Sequence, residues 1–376
     1  MRVLILSCAT GEGHNSAAKA IYEYFQMHHT ECDVVDTLSL ISPAVSQKAS
    51  DIYVFSTKTK LFELIYNTGA LVSRKKSKSP VYFANKLYCG RLLEYIDTNK
   101  YDTIICTHLF PAEAITALIR LKELSAKTVF VFTDYTCIPF VSETQLDHYI
   151  IPHEHLIEEC VKKGLERSKL LPYGIPVKQI FYSSQSRVLA RKECKQLFGE
   201  RINENAKWLL IMSGSMGFGN LKDLVKQTIS ECGMDAELFL VCGNNTRLQK
   251  TLTEEFANNK NITVLGFTDK IPALMDACDV LFTKPGGLSS TEAAAKNIPI
   301  IHTAPIPGCE TRNAEFFHYH GMSYSTSDIK EQVRQALRLC DDKPYREKMI
   351  SFQKMHINPD TSRDILNICS GQGKIK

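Results

Sequence analysis

At 376 residues the chain is long enough for about two domains, each with its own core. Its formal charge of +4 is too small for a general nucleic-acid binder, though it leaves room for a local patch against anionic lipid. Thirteen cysteines, an odd number with no C-x-x-C pair, argue against a disulfide framework and for a reduced, cytoplasmic chain. No apolar run approaches the roughly 18 residues of a membrane span or forms a signal-peptide h-region.

Arg2 to Cys8 is a short, branched apolar run of the kind that forms a buried parallel strand. It ends in Ala9-Thr10-Gly11-Glu12-Gly13-His14. A helix is expected at once, capped by Asn15 or Ser16, with Ala17, Ala18, Ile21 and Phe25 on one side. That places His14 on a glycine turn, with Gly11 and Gly13, at the carboxyl edge where open-sheet enzymes do chemistry. Capping or packing against the turn is the competing role for a lone histidine. The turn lacks the third glycine of a dinucleotide fingerprint, and only Asp36 stands as an acidic residue closing a following strand, so NAD is not favoured.

Between Ser50 and Tyr95, aromatic and aliphatic residues, Phe62 and Tyr66 among them, surround the basic run Arg74-Lys75-Lys76-Ser77-Lys78. Tyr82, Phe83, Leu87 and Tyr88 continue on a helix. Two readings stand: core helices joined by a solvated loop, or a membrane-facing flap with aromatic anchors and with Arg74, Lys75, Lys76 and Lys78 drawn to anionic headgroups. Asp102 to Cys106 and Thr128 to Phe132 are further strands, separated by a helix that can start at Pro111. Their tips, Thr107-His108 and Thr133-Asp134, fall on the same edge as His14. Asp134 can orient or charge-stabilise a histidine, or serve as a cap. His148, His153 and His155 lie by the next strand, Tyr149 to Ile151, without ligand spacing, and no metal site is read there. Leu170 to Val177, with two prolines and a glycine, marks a domain boundary, giving a first domain of residues 1–175.

The second half repeats the pattern. After a helix over Arg187 to Phe198, the strand Trp208 to Met212 exits into Gly214-Ser215-Met216-Gly217, a loop whose amides can wrap phosphate oxygens, though an ordinary tight turn would look the same. Glu237 to Cys242 exits at Gly243-Asn244, and Ile262 to Leu265 exits at Gly266-Phe267. Asp279 to Phe282 leads past Lys284 into Pro285-Gly286-Gly287. Ser289 and Glu292 have capping-box spacing at the next helix start. The strand Ile298 to His302 runs into a second loop, with Gly308, Cys309, Glu310 and Asn313, ahead of another helix. Several glycine-bearing exits on one edge describe a nucleotide pocket in an open α/β sheet.

The stretches TGEGHNSAAKAI, FTDYTCIPF, YGIPV and TKPGGLSSTEAAAKNIPIIHTAPIPGCETRNAEFF resemble the monogalactosyldiacylglycerol synthase and processive diacylglycerol glucosyltransferase family over essentially the whole chain. A more distant likeness is to the lipid-linked N-acetylglucosaminyl transferase of peptidoglycan synthesis. The resemblance implies a GT-B fold, two facing Rossmann-like domains with an interdomain cleft. Residues 1–175 would hold a lipid acceptor and residues 176–355 a UDP-sugar, with a helix within residues 356–376 crossing back to the first domain. It implies His14 as general base, Gly214 to Gly217 at the diphosphate, Gly266-Phe267 beside uracil, Glu292 at the ribose with Pro285-Gly286-Gly287, and Glu310 and Asn313 near the hexose. Cys309 departs from the glutamine common at that place, and a thiol cannot supply an amide's donor and acceptor pair.

The expectation is inverting transfer of glucose or galactose from a UDP-sugar to diacylglycerol or glycosyl-diacylglycerol, once or repeatedly, on the inner face of the cell membrane. No cofactor or metal is expected, there being no D-x-D motif. The alternatives are transfer to a polyprenyl-linked acceptor, a UDP-sugar epimerase, and a UDP-sugar-sensing regulator.

Overall fold

A computed structural model of the chain describes residues 1–8, 12–40, 78–213, 221–233 and 235–372. The chain divides into two compact units: Met1–Gln179 with residues 307–309 and Asn358–Lys376, and Ile180–Ile306 with Glu310–Ile357.

The first unit contains strands β1 (Arg2–Ser7), β2 (Glu31–Asp36), β3 (Thr103–Cys106), β4 (Lys127–Val131), β5 (His148–Ile150) and β6 (Leu170–Leu171). Its helices are α1 (Glu12–Met27), α2 (Pro80–Lys86), α3 (Cys89–Asn99), α4 (Leu109–Arg120) and α5 (Ile157–Lys162). The strands pair in parallel in the order β2-β1-β3-β4-β5-β6. The apolar runs of β1 and of β3 to β6 are buried, as parallel strands covered by helices must be, while β2 at the edge leaves Val34 exposed. Val3, Ile5, Ile105, Val129 and Val131 of the sheet pack with Ala18, Ile21 and Phe25 of α1. The order reverses direction between β1 and β3, so their carboxyl ends open a crevice there.

The second unit contains β7 (Lys207–Met212), β8 (Ala236–Val241), β9 (Ile262–Leu265), β10 (Val280–Thr283), β11 (Ile300–His302) and β12 (Tyr324–Ser325). Its helices are α6 (Arg187–Phe198), α7 (Leu221–Cys232), α8 (Thr246–Glu255), α9 (Ile271–Ala277), α10 (Gly287–Ala295), α11 (Cys309–Tyr319), α12 (Ile329–Asp341) and α13 (Lys343–His356). The parallel order β12-β11-β10-β7-β8-β9 is the dinucleotide-fold order read from its far edge, with the reversal between β7 and β10. Asp279, just before β10, anchors α6 to the sheet: its two oxygens pair with Arg187 and Arg191 at 2.7 Å, and one also accepts from the Trp208 amide.

The last helix, α14 (Thr361–Cys369), returns to the first unit, where Ile365 and Ile368 join the core. Lys127 on β4 donates to the carbonyls of Ile368 and Cys369, a cation on the unsatisfied end of a helix. Thr361 and Asn358 both donate to the Tyr173 carbonyl.

Three helix starts differ from those read in the sequence. Helix α1 opens at Glu12, so His14 stands in its first turn and not on a turn ahead of it; Asn15, expected as a cap, accepts from the Ser7 hydroxyl at 2.6 Å. Helix α4 opens at Leu109, ahead of Pro111, with His108 as N-cap. Helix α10 opens at Gly287 with Gly286 as N-cap and no side-chain cap, so Ser289 and Glu292 lie inside the helix and form no capping box. Among the described residues, no helix is long and apolar enough to cross a membrane.

Candidate functional site

In the first unit the β1, β3 and β4 ends bring together side chains more than ninety positions apart. His14 Nδ1 lies 2.8 Å from the Thr107 carbonyl and 2.9 Å from the Thr133 hydroxyl oxygen. A carbonyl oxygen only accepts, so Nδ1 carries the proton and Nε2 carries the lone pair. Neither bond uses Nε2. Burial lowers the basicity of His14, the Asp134 carboxylate and the Thr107 carbonyl oppose that, and the net direction is down. At neutral pH the ring is therefore uncharged and able to take a proton.

His108 meets the His14 ring edge to face, with centroids 4.5 Å apart. Its Nδ1 accepts the Phe110 amide at 3.1 Å, which caps α4. Burial, reinforced by His14, holds His108 well below the ordinary histidine range. Both rings line a small recess with Phe130, Phe132, Asp134 and Ile138. Gly13 lies in the first turn of α1, and Gly11 lies outside the described residues.

Of the expected membrane set, Phe62, Tyr66, Arg74, Lys75 and Lys76 lie outside the described residues. Lys78 is partly buried and turned inward: it donates to the Glu143 carbonyl at 2.9 Å and sits over the Tyr82 ring. Beyond it, Tyr82 and Tyr88 are buried, whereas Phe83 is 58% and Leu87 88% exposed. Beneath α2, the fully buried Glu113 of α4 accepts from the Asn85 amide through one oxygen, and its other oxygen has no partner among the described residues. Burial pushes this carboxyl up to about 8.

In the second unit the expected donor residues occupy the β8, β9, β10 and β11 exits. Gly214, Ser215, Met216 and Gly217 lie outside the described residues. Gly243 and Asn244 close β8, and Gly243 has a left-handed φ of 57° that a side chain would strain. Gly266 follows β9; a Cβ there would come within 2.7 Å of the Gln249 side chain, and the next residue, Phe267, is 76% exposed. After β10, Asn313 of α11 is buried and donates to the Pro285 carbonyl at 3.0 Å, fixing the loop that leads into α10. Among the described residues, a Cβ on Gly286, the N-cap of α10, would meet nothing within 4 Å. Glu292 is partly buried in the second turn of that helix.

An ion pair not foreseen from the sequence joins Lys284 and Glu310, 2.6 Å long with both side chains under a fifth exposed. The second Glu310 oxygen accepts from the Ile306 amide, so the carboxylate is held from two sides. Gly308 has a φ of 115°, and Cys309 is the first residue of α11. Behind α10, fully buried His302 has a hydroxyl on each nitrogen, Ser290 on Nε2 and Ser323 on Nδ1, each at 3.0 Å. Among the described residues, no three His, Cys, Asp or Glu side chains come together as a metal-holding group.

An α/β chain of two Rossmann-like units, with polar residues gathered at the reversal of each sheet, is the architecture of the GT-B glycosyltransferases and related enzymes. Acinetobacter baumannii MurG has a TM-score of 0.64 at 13% identity, covering 98% of this chain and 99% of that one. The UDP-GlcNAc 2-epimerase of Neisseria meningitidis, bound to UDP-GlcNAc, has 0.63 at 14% identity, covering 99% and 100%. Residues 14–177 match the monogalactosyldiacylglycerol (MGDG) synthase family model and residues 199–355 the model for glycosyl transferases group 1. The chain is a glycosyltransferase. The processive diacylglycerol beta-glucosyltransferase of Bacillus subtilis is 29% identical over 353 residues, 93% of this chain and 89% of that protein. Its Bacillus pumilus counterpart is 27% identical over 371 residues, covering 97% and 93%.

Proposed function

We propose that the protein transfers a hexose from a UDP-sugar to the free hydroxyl of diacylglycerol, with inversion, and that the product can accept further sugars. The observation that carries this reading is the hydrogen bonding of His14: Nδ1 is committed to Thr107 and Thr133, and Nε2 is left to take a proton. The acceptor oxygen attacks the anomeric carbon opposite UDP as its proton passes to Nε2, and the bond between that carbon and the diphosphate oxygen breaks. A base so placed contributes roughly 10² to 10⁴-fold in rate.

On the donor side, the α10 N-terminus, with no side-chain cap, offers amides and a dipole to the leaving diphosphate. In this reading Glu292, partly buried in the second turn of α10, takes the ribose hydroxyls, and Glu310, oriented by Lys284 and the Ile306 amide, takes the hexose. The names of the Bacillus relatives favour glucose, while Cys309 leaves galactose as the other donor to test. The reading calls for no cofactor. It places the enzyme at a membrane surface, consistent with exposed Phe83 and Leu87 following the basic run.

The test incubates purified protein and diacylglycerol vesicles with labelled UDP-glucose or UDP-galactose and resolves the lipids. Labelled mono- and diglycosyl-diacylglycerol are expected. Epimerised UDP-sugar without lipid product, or product only with a polyprenyl phosphate acceptor, would overturn the reading.

A further inference from the structure

We infer that His108 is a positioning residue for His14, setting the orientation and charge state of the base through ring contact; the catalytic part of this inference rests on the reading above. Two features of His108 meet at one side chain. Its Nδ1 is committed as the α4 cap, which fixes the ring in place and puts its own proton on Nε2. Its ring then stands perpendicular to that of His14, at 88° between planes. Perpendicular aromatic contact restricts rotation of both rings and covers ring surface that water would otherwise reach.

His14 is thereby fixed on two sides. Thr107 and Thr133 hold one nitrogen, and the residue next to Thr107 in sequence covers the ring. This explains why adjacent positions at the β3 end serve one imidazole: the carbonyl of the first selects the tautomer, and the side chain of the second keeps solvent off it. The charged or titratable groups facing His14 are His108 from the β3 end and Asp134 from the β4 end. The segment Ala9-Thr10-Gly11 before α1 contains none. Asp134 favours the imidazolium, and the covered surface opposes it. Removing the cover while keeping Asp134 must therefore move the His14 titration upward.

Two substitutions separate this role from capping. His108→Asn retains an N-cap acceptor and loses the ring; His108→Phe retains the ring and loses the acceptor. The readout is an NMR titration of ¹³C-labelled imidazoles, with the His14 signal identified by its absence in His14→Gln. The wild-type midpoint is expected below 6.5, the His108→Asn midpoint higher by about half a pH unit or more, and the His108→Phe midpoint near wild type. The acid limb of kcat/KM should move with the midpoint, and His108→Phe should melt at a lower temperature than His108→Asn.

An unmoved midpoint in His108→Asn, or equal movement in both variants, would overturn the inference and leave only a helix cap. Because the titration needs no substrate, it stands even if the wild type makes no glycolipid. Absence of product then counts against the proposed reaction alone.

Discussion

Two histidines follow parallel strands, one in each unit, and hydrogen-bond accounting separates them. His302 ends β11 with a serine hydroxyl on each nitrogen, and burial holds it down at about 3. It is saturated, neutral and structural, tying α10 to the residues before β12. His14 follows β1 with both of its bonds on one nitrogen. The residue type and strand-end position are shared, though His302 is fully buried and His14 partly so. The difference is whether a lone pair remains for a substrate proton.

The largest expected effect tests that difference. His14→Ala should lower kcat by roughly 10² to 10⁴-fold while leaving the melting temperature near wild type. Near-normal turnover in the folded variant would break the comparison from the first unit. His302→Ala should do the reverse. It strands two serine hydroxyls and opens a cavity, costing about 2–4 kcal/mol in denaturant unfolding, with kcat measured below the transition nearly retained. A kcat loss as large as that of His14→Ala, without loss of stability, would make His302 a chemical group after all.

The smallest effect concerns Glu113, the buried carboxyl beneath α2. Its folded value, about 8, lies above the usual carboxylate range, so between that range and about 8 the native state binds the proton the unfolded state releases. Stability should therefore fall as pH rises through this window, by up to roughly 1 kcal/mol per pH unit, and Glu113→Gln should flatten the slope. Parallel pH profiles for the two proteins would show the carboxyl already ionised in the fold.

The α/β class was legible because buried parallel strands must be continuous branched apolar runs, and nearly every such run became a strand within a residue or two. The strands not foreseen lack that signal. Edge strand β2 carries Glu31, Asp33 and Asp36, while β6 and β12 are two residues long. The helix starts were hidden for different reasons: the α4 cap is a histidine ring, outside the usual set, and the α10 cap is Gly286, which the Ser289-to-Glu292 spacing three residues on disguised. Sequence could place His14, His108, Thr133 and Asp134 at strand ends. Their convergence depends on the order β1-β3-β4, which no local pattern encodes. The Lys284–Glu310 pair was hidden for the same reason, its members lying on different strand exits.

The return of α14 has a consequence for biosynthesis. Ile365 and Ile368 belong to the same apolar cluster as β1 and α1, so the part of the protein that leaves the ribosome first lacks a piece of its interior until residues beyond 358 emerge. The second unit draws on a nearly uninterrupted stretch and can consolidate earlier. The unit that carries His14 therefore has its full interior only once the last helix of the chain has been made.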